Sequence, residues 1–574
     1  MIMNDAIANW RSRGMLQINT HLIVVVVISA CGLWAYYPVF HNGFVTWDTA
    51  GYVLQNERIK HFSWDNLSWM FSSYHMANWH PLTWLSHAVD YYFFGLNPVG
   101  HHAVNLVFHI FNSLLVYVIA KKILSLTCCY SSLWIPAIAG ILFAVHPQHV
   151  ESVAWVAERK DVLCAFFYLL TIYWHLRYVG DPLCRNRWRV LTSLSAAMAL
   201  LAKPMAVSIP FVLLLLDIYP LARCNVVKSQ AESSTPQESI VALIKEKWHL
   251  FTMVSIVAIV AFEVQYLSGA VAGMEKVDLV QRFLNAVNSL FLYLSKWLIP
   301  IDLSPFYQFP SYIANYGSIL SIVPVVGFVC VTLLCVWLWS KKQYYWLIAW
   351  SIYCVVLLPV IGIVQIGDQA AADRYAYLPT IPLYLLVSAG VNRLHDRPFM
   401  QGKRRYDIAT LIGITILVVS LSGLTQRQTE VWKNDLVFWQ YTAEHAPKSG
   451  LVRGNYGHTL FKVGHVETAI KELKIAAKLR TSAAINKWMA DAYLAHGDFK
   501  LARQHYLVSL AIKEDKKFIM VSDVFLGMAN VAIGQEKYSD AKKYAAEAIR
   551  FDSSNNQAKL LLKKLNDRKF KYSD

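Results

Sequence analysis

Long apolar segments separated by short polar loops fill the chain from residue 21 to about residue 425. A helix that crosses a bilayer needs about 20 mostly apolar residues. The pattern predicts eleven spanning helices, over residues 21–40, 103–120, 133–146, 162–179, 190–202, 204–221, 249–268, 317–340, 343–363, 375–392 and 407–425. A further apolar stretch, 283–299, carries Asn285, Asn288 and Lys296 at roughly helical spacing, so we expect an amphipathic helix lying on the outer membrane surface. Residues 1–425 are thus predicted to form an all-α membrane domain with a long first outer loop, 41–102.

Basic residues orient the predicted spans. With the N-terminus in the cytoplasm, the cytoplasmic loops carry 19 Lys and Arg, and the outer loops carry 9. Cytoplasmic loops are usually the richer in Lys and Arg. The sequence therefore predicts an integral protein of the inner or plasma membrane, or of the endoplasmic reticulum in a eukaryote, whose C-terminal part lies on the outer side.

Residues 426–574 show a different pattern, with amphipathic helical segments and a repeat. Gly464–Ala469 recurs as Gly497–Ala502, and a third copy, Glu536–Ala541, lacks the Gly. The final Ala of each copy lies 33 and then 39 residues after the one before. This resembles tetratricopeptide repeats, whose period is about 34 residues and whose helix pairs stack into a concave, protein-binding solenoid. A plain bundle of helical hairpins is the alternative.

Composition narrows the class of protein. The chain has 574 residues, of which 56% are hydrophobic and only 16% charged, which excludes a disordered chain and a small disulfide scaffold. The formal net charge of +16 is compatible with nucleic-acid binding. However, residues 426–574 hold 25 Lys and Arg against 16 Asp and Glu and are predicted to lie outside the cytoplasm, so no nucleic-acid partner is expected.

The first candidate for chemistry is Asp48, about eight residues beyond the first predicted span. A carboxylate at the outer membrane face can act as a general base or hold a metal. The alternative is that Asp48 caps a short helix. Farther along this loop, Trp79 and His80 can line a sugar-binding surface, or can belong to an interfacial aromatic belt.

Three further outer segments carry ionisable residues. His146, His149 and Glu151 precede the run Glu158–Asp161, in which Arg159 and Lys160 are both able to meet a phosphate. The alternative for this run is an internal network of ion pairs. Lys203 follows an apolar segment and needs either an anion or a route by which it snorkels to the surface. Arg374 can hold a phosphate with two hydrogen bonds, unless Asp373 simply neutralises it.

These motifs, taken in order with Trp47 and Asp217, resemble the GT-C membrane glycosyltransferases. They resemble most closely the transmembrane and tetratricopeptide-repeat family of protein O-mannosyltransferases and its prokaryotic relatives. The resemblance extends over nearly the whole chain. It implies transfer of a sugar from a polyprenyl-phosphate donor to a hydroxyl group, usually of Ser or Thr in a protein, with inversion at the sugar carbon.

The resemblance also assigns roles to residues. Asp48 corresponds to the family's base, and the family commonly has a second acid where this chain has Thr49. The departure argues against a metal held by paired carboxylates, while dependence on a divalent metal stays open, and Glu151 is a hypothetical second acid. No other cofactor is expected. The predicted site comprises catalytic residues, donor phosphate ligands and a sugar or acceptor pocket: Asp48 and Glu151; Arg159, Lys203 and Arg374; Trp79, His80, His146, His149 and Tyr375.

Other functions remain open from the sequence. The same donor chemistry with a lipid or glycan acceptor is one, and the repeats would then bind an assembly partner. A non-catalytic scaffold that anchors the repeats in the membrane is another, but an anchor does not need outer-face cations. A transporter is a third, although the polar residues gather at one face rather than in broken helices at mid-membrane.

Overall fold

The computed structural model describes residues 2–127, 130, 132–224, 238–269, 277–314, 318–365, 367–395, 404–512 and 518–567. Side chains are described from residue 19 in the first helix, from residue 408 after the gap at 396–403, and from residue 520 after the gap at 513–517. Within these residues the secondary structure is helical, apart from two isolated β-bridges, Cys224 with Glu238 and Tyr307 with Ala371. The predicted all-α fold class is confirmed.

The chain divides into two compact units, residues 1–434 and 435–574. The helices of the first unit are α1 Ile2–Ala35, α2 Thr46–Thr49, α3 Trp64–Ser72, α4 Pro81–Phe94, α5 Pro98–Thr127, α6 Trp134–Val145, α7 Val150–Ala154, α8 Arg159–Gly180, α9 Arg185–Ala202, α10 Ile209–Ile218, α11 Ile240–Glu246, α12 Trp248–Leu267, α13 Leu279–Leu298, α14 Ile319–Ser340, α15 Tyr344–Leu357, α16 Ile381–His395 and α17 Arg404–Glu430. Short 3-10 turns connect several of them, including Pro147–His149, Val156–Glu158 and Asp373–Ala376.

Five helical segments of the described residues are long and apolar enough to cross a membrane: Pro98–Thr127, Val156–Gly180, Trp248–Leu267, Ile319–Ser340 and Ile408–Glu430. Five shorter apolar helices of the first unit cover other predicted spans: Asn19–Ala35, Trp134–Val145, Pro204–Ile218, Tyr344–Leu357 and Ile381–Leu394. The segment predicted at 190–202 lies within α9. Every predicted span thus coincides with a helix, while the number that cross the bilayer stays a prediction.

The surface of α14 shows why a bilayer is needed. Ile319 is 73% exposed and Leu333 62% exposed, and their apolar neighbours along the helix are exposed as well. Contiguous apolar surface of this extent is unfavourable in water by about 25 cal/mol per Å² but is matched by lipid chains. The first unit is therefore a membrane protein.

Helix α13 is the amphipathic segment predicted at 283–299, and its polar face is turned inward. Asn285 and Ser289 are buried, whereas Phe283 is 55% exposed. The Asn285 side chain donates a 2.9 Å hydrogen bond to the carbonyl oxygen of Ala370. The polar face of α13 therefore holds the segment that leads to Arg374.

The described residues of the second unit form eight helices: α18 Asp435–His445, α19 Gly450–Lys462, α20 Val466–Leu479, α21 Ala483–His496, α22 Phe499–Ala511, α23 Phe518–Gly534, α24 Tyr538–Phe551 and α25 Asn556–Asp567. Consecutive helices pack in pairs around a shared core that includes Leu473, Met489, Tyr506 and Met528. Each predicted repeat motif spans the turn between two paired helices. At the second copy, Gly497 ends α21 in a left-handed conformation (φ 88°), which glycine adopts without strain.

The centre of the first unit is the close packing of α5, α6 and α1. A methyl group added at Gly140 of α6 would lie 2.8 Å from the carbonyl oxygen of Ser113 in α5 and 3.1 Å from Ile28 in α1. Backbone atoms cannot move aside as a flexible side chain does, so a glycine is required at this crossing.

We predict that Gly140→Ala lowers the free energy of unfolding by about 1–3 kcal/mol through overpacking. Gly413→Ala in α17 is the matched control, because a methyl group there meets nothing within 4 Å. Both variants gain the same helix propensity of about 1 kcal/mol, so their difference isolates the clash. Thermal unfolding of the detergent-purified protein measures the effect, and equal midpoints for the two variants would contradict the prediction.

Candidate active site

Charged residues from four separate parts of the first unit, all of them buried except the partly exposed Asp48, meet at one place. They come from α2, from the segment around α7 that leads into α8, from the turn after α9, and from the 3-10 turn Asp373–Ala376. We call this set the charged cluster: Asp48, Glu151, Glu158, Lys160, Asp161, Lys203 and Arg374.

Glu158 lies at the centre of the cluster. Its carboxylate is 2.8 Å from Nζ of Lys160, 3.6 Å from Nζ of Lys203 and 3.5 Å from Nε of Arg374. Three cations would repel one another strongly in a buried site, so a shared counter-ion is needed. Glu158 thus holds together cations that are far apart in the sequence.

Two further carboxylates complete the pairing of these cations. Glu151 forms an ion pair with the guanidinium of Arg374 and also accepts a 3.0 Å hydrogen bond from the backbone N–H of that residue. Asp161 pairs with Lys203 and accepts a 3.0 Å hydrogen bond from the hydroxyl of Ser152. Burial raises the pKa of Glu151, and the charge of Arg374 opposes that shift.

Asp48 differs from the other carboxylates of the cluster. It is partly exposed and forms no ion pair with any residue that the structure describes. Burial raises its pKa from the usual 3.8, and the charge of Glu158 adds to the shift while Lys160 and Arg374 oppose it. A carboxylate that is not held by a cation and has a raised pKa is suited to accept a proton.

The alternative role of Asp48 as a helix cap is wrong. Val45 is the residue that precedes α2, and Asp48 is the third residue of that helix. Thr49, which stands where a second acid was considered, is fully buried. The side chains of residues 48 and 49 therefore do not form a paired site.

Aromatic rings border the cluster. The indole of Trp155 stacks on Trp47, with ring centroids 5.1 Å apart, and on Trp432 at 5.4 Å. Nζ of Lys160 lies 4.7 Å from the ring centre of Tyr52, and Tyr375 lies 4.8 Å from the guanidinium carbon of Arg374. Trp155 and Tyr52 are buried, whereas Trp47 and Tyr375 keep exposed surface. An exposed aromatic face beside cations and a carboxylate can bind the face of a sugar while the polar groups contact its oxygens.

Arg159 is not brought into the cluster. Its side chain has no exposed surface, and its guanidinium bonds to Asp90 at 2.6 Å, to Ser86 at 2.8 Å and to the carbonyl oxygen of His101 at 2.9 Å. Adjacent residues of a helix point about 100° apart, so Lys160 faces the cluster when Arg159 does not. The structure therefore places Lys160 where the sequence analysis placed Arg159.

The remaining cations of the prediction are in the cluster. Lys203 is only 7% exposed and pairs with Asp161, so the alternative of snorkelling is wrong. Arg374 is not neutralised by Asp373, because Asp373 accepts a 2.9 Å hydrogen bond from the hydroxyl of Tyr307. Burial raises the pKa of Asp373 well above its usual value, and the charge of Glu151 adds to that shift.

Of the residues predicted to line the sugar or acceptor pocket, some lie beside the charged cluster and others do not. Tyr375 lies between Arg374 and Lys203, at 4.8 Å and 5.6 Å from their charged groups. His80 is buried beside the cluster, and burial together with Lys160 and Lys203 lowers its pKa well below 6.5. Trp79 instead donates a 2.8 Å hydrogen bond to the carbonyl oxygen of Phe71 and forms no described contact with the cluster.

His146 and His149 occupy a packed aromatic region. His146 bonds through Nε2 to the carbonyl oxygen of Trp297 at 2.8 Å, and His149 bonds to the hydroxyl of Tyr384 at 3.0 Å. In this conformation both histidines fix the turn before α7 rather than line an opening.

Lys160, Glu158 and Tyr52 are site residues that sequence reasoning did not select. Lys160 was considered beside Arg159, but the direction of each side chain depends on where α8 begins and on which neighbours pack against it. Tyr52 lies in a π-helical turn, Ala50–Leu54, directly after α2. Such turns are frequent at functional sites, but no local sequence signal marks this one.

Curated relatives carry one common description. Protein O-mannosyl-transferase Tmtc3 of Drosophila melanogaster is 22% identical over 557 residues, which cover 85% of this chain and 59% of that protein. Protein O-mannosyl-transferase TMTC4 of Homo sapiens is 24% identical over 431 residues, or 69% of this chain and 57% of that protein.

A shorter match has a higher sequence identity. Protein O-mannosyl-transferase Tmtc2 of Drosophila melanogaster is 36% identical over 150 residues, which are 25% of this chain and 15% of that protein. The chain resembles the TMTC protein O-mannosyl-transferases. The resemblance inferred from the motifs is thereby confirmed.

The similarity to the TMTC proteins covers only part of their length. The chain spans 59% of the length of Tmtc3 and 57% of that of human TMTC4. No family model matches the chain. No solved structure matches it either.

Proposed function

We propose that this chain is a glycosyltransferase that moves a sugar from a polyprenyl-phosphate donor to a hydroxyl group of a protein, at the outer face of the membrane. The observation that carries the proposal is the meeting of one unpaired carboxylate, Asp48, with three cations inside an apolar bundle. The names of the TMTC relatives, protein O-mannosyl-transferases, support a protein acceptor that receives the sugar on an oxygen atom, and mannose as the sugar.

The reaction uses the charged cluster as follows. Asp48 accepts the proton of the acceptor hydroxyl as the hydroxyl oxygen bonds to the anomeric carbon of the sugar. The bond between that carbon and the phosphate oxygen breaks, and its electron pair leaves with the phosphate. Attack from the face opposite the phosphate inverts the configuration of the anomeric carbon.

Lys160, Lys203 and Arg374 stabilise the departing phosphate. Their side chains keep 9%, 9% and 10% of their surface exposed, whereas Arg159 has no exposed surface. Charge that develops in a site with little water is stabilised strongly by cations already held in place. Glu151 and Glu158 act through these cations and are positioning residues.

The second unit provides a surface for the acceptor or for an assembly partner. A cavity of about 610 Å³ opens between α22, α23 and α24, and it is lined by Lys500, Arg503 and Lys537 with one acidic residue, Asp540. Surfaces made by stacked helix pairs commonly bind extended protein segments. The positive lining favours an acidic segment.

Asp48→Asn should abolish sugar transfer, with a fall in kcat of at least about 10²-fold, because the amide cannot accept the proton. The measurement uses purified protein, labelled polyprenyl-phosphate mannose and peptides that contain Ser and Thr. Asp65→Asn is the matched control, since Asp65 is an exposed acid of the same loop.

Several outcomes separate the functions considered. Transfer to a lipid or glycan but not to peptides would replace the acceptor and keep the donor chemistry. Absence of transfer from any polyprenyl-phosphate sugar would favour a membrane-anchored scaffold. Near-normal transfer by a folded Asp48→Asn variant would refute the role of Asp48.

Activity should fall in acid with a midpoint above pH 3.8, because the base is active only when deprotonated and burial raises the pKa of Asp48 from that value. The folded protein thus loses its active form as the pH drops through the raised pKa. The pH profile of kcat/KM at saturating acceptor measures this limb. A rate that stays constant down to pH 4, with the protein still folded, would contradict the assignment.

Lys160→Gln should raise the KM for the donor by about 10-fold or more, since a charge-assisted contact to phosphate is lost. Lys60→Gln is the control, because Lys60 of the same loop pairs only with the exposed Glu57. Steady-state kinetics with varied donor provide the test. An unchanged KM in a folded Lys160→Gln protein would exclude Lys160 from the phosphate site.

A further inference from the structure

Two histidines and one aspartate form a compact group beside the guanidinium of Arg159. His87 and Asp90 lie one turn apart on α4, and His101 lies near the start of α5. One ligand atom from each residue lies within 4.8 Å of the other two, and among the described residues this is the group found with such spacing. All three side chains are buried, with exposures of 0%, 2% and 0%.

The hydrogen bonding of His101 leaves a lone pair facing a carboxylate. Its Nε2 lies 2.9 Å from the carbonyl oxygen of Gly95, so Nε2 carries the proton and donates it. Its Nδ1 has no hydrogen-bond partner among the described residues and lies 3.4 Å from Oδ2 of Asp90. Both atoms are acceptors when Nδ1 is unprotonated, so either a proton on Nδ1 or a metal ion must lie between them.

His87 has unmet bonding capacity. Neither ring nitrogen has a hydrogen-bond partner in the described part of the chain, although the residue is fully buried. Its ring centre is 6.4 Å from that of His101. A buried polar group without a partner is unfavourable, and such groups in native structures usually indicate an unseen water or ion.

The distances suit a tetrahedral ion. Two ligands on a tetrahedral zinc ion, each about 2.0–2.1 Å from the metal, are about 3.4 Å apart. The separation of Nδ1 of His101 from Oδ2 of Asp90 already has this value. Side-chain movement of at most about 1.4 Å would bring the third ligand, which is within 4.8 Å of the other two, to the same spacing, with one position left for water or another group.

The positive charge of Arg159 beside Asp90 disfavours a second cation at this place. The hydrogen bonds of Arg159 show how its charge is accommodated. Its Nη2 bonds to Oδ2 of Asp90, while its other nitrogens are held by neutral acceptors, Ser86 and Asn105. Carboxylates that bind metals commonly accept a further hydrogen bond from the surrounding protein, which orients them. Arg159 is placed to do this.

We propose that His87, Asp90 and His101 bind a Zn²⁺ ion that joins α4 to α5. Two imidazole nitrogens and one carboxylate oxygen form a donor set typical of zinc, whereas Mg²⁺ and Ca²⁺ prefer oxygen ligands. Through Asp90 and Arg159 the ion would fix the start of α8, where Lys160 and Glu158 enter the charged cluster. The zinc site does not depend on the proposed glycosyltransferase activity.

The test titrates Zn²⁺ alone into the full-length protein in detergent, after treatment with a chelator. We expect one ion per chain, a rise in the melting temperature with zinc, and a tetrahedral cobalt absorption spectrum when Co²⁺ replaces zinc. His87→Phe should weaken binding more than about 100-fold and abolish the zinc-dependent rise. His41→Phe is the control, because His41 packs on Tyr37 and is outside the group.

The variants separate loss of zinc binding from loss of folding. Phe fills the space of the imidazole without unmet polar atoms, so metal-free His87→Phe should melt no lower than the metal-free original protein. Asp90→Asn provides a second variant of the same shape, also expected to lose zinc. Absence of one-to-one binding by the original protein, or retention of zinc by both folded variants, would overturn the proposal.

Discussion

One buried carboxylate, Glu158, allows the rest of the candidate site to exist. It lies within 3.6 Å of cationic groups from Lys160, Lys203 and Arg374. Burial of three cations together is prohibitive without counter-ions, since each loses its hydration and repels the others. Glu151 and Asp161 complete the compensation. The helices that deliver these residues must therefore converge, and the ion pairs fix how they do so.

This arrangement also explains how one carboxylate remains available. The cations are balanced by Glu151, Glu158 and Asp161. Asp48 lies near these cations but forms no ion pair with any of them. Its pKa is raised by burial and only partly restored by Lys160 and Arg374. A base and a set of cations thus coexist at one place without neutralising each other, which is what acid–base transfer beside a phosphate requires.

Most of the helices could be predicted, because apolar segments of spanning length have little alternative to a helix in lipid. The amphipathic character of α13 was also readable from Asn285, Asn288 and Lys296. The site was predicted in part. Asp48, Glu151, Lys203, Arg374 and Tyr375 meet or border one cluster, but Arg159, Trp79, His146 and His149 are engaged elsewhere. Choosing between Arg159 and Lys160 required the register of α8, which depends on packing against α4 and α5.

The order of residues along the chain is enough to predict an all-α membrane protein with a repeat-bearing second unit and a likeness to protein O-mannosyl-transferases. Those properties depend on hydrophobic lengths, periods and ordered motifs, which are local. Helix packing had to be known to see that Lys160 faces Glu158, that Arg159 bonds to Asp90, and that His87 and His101 lie together. These are contacts between segments that are far apart in the sequence. A buried charge needs a counter-charge or a hydrogen bond, and no local sequence pattern specifies which distant residue provides it.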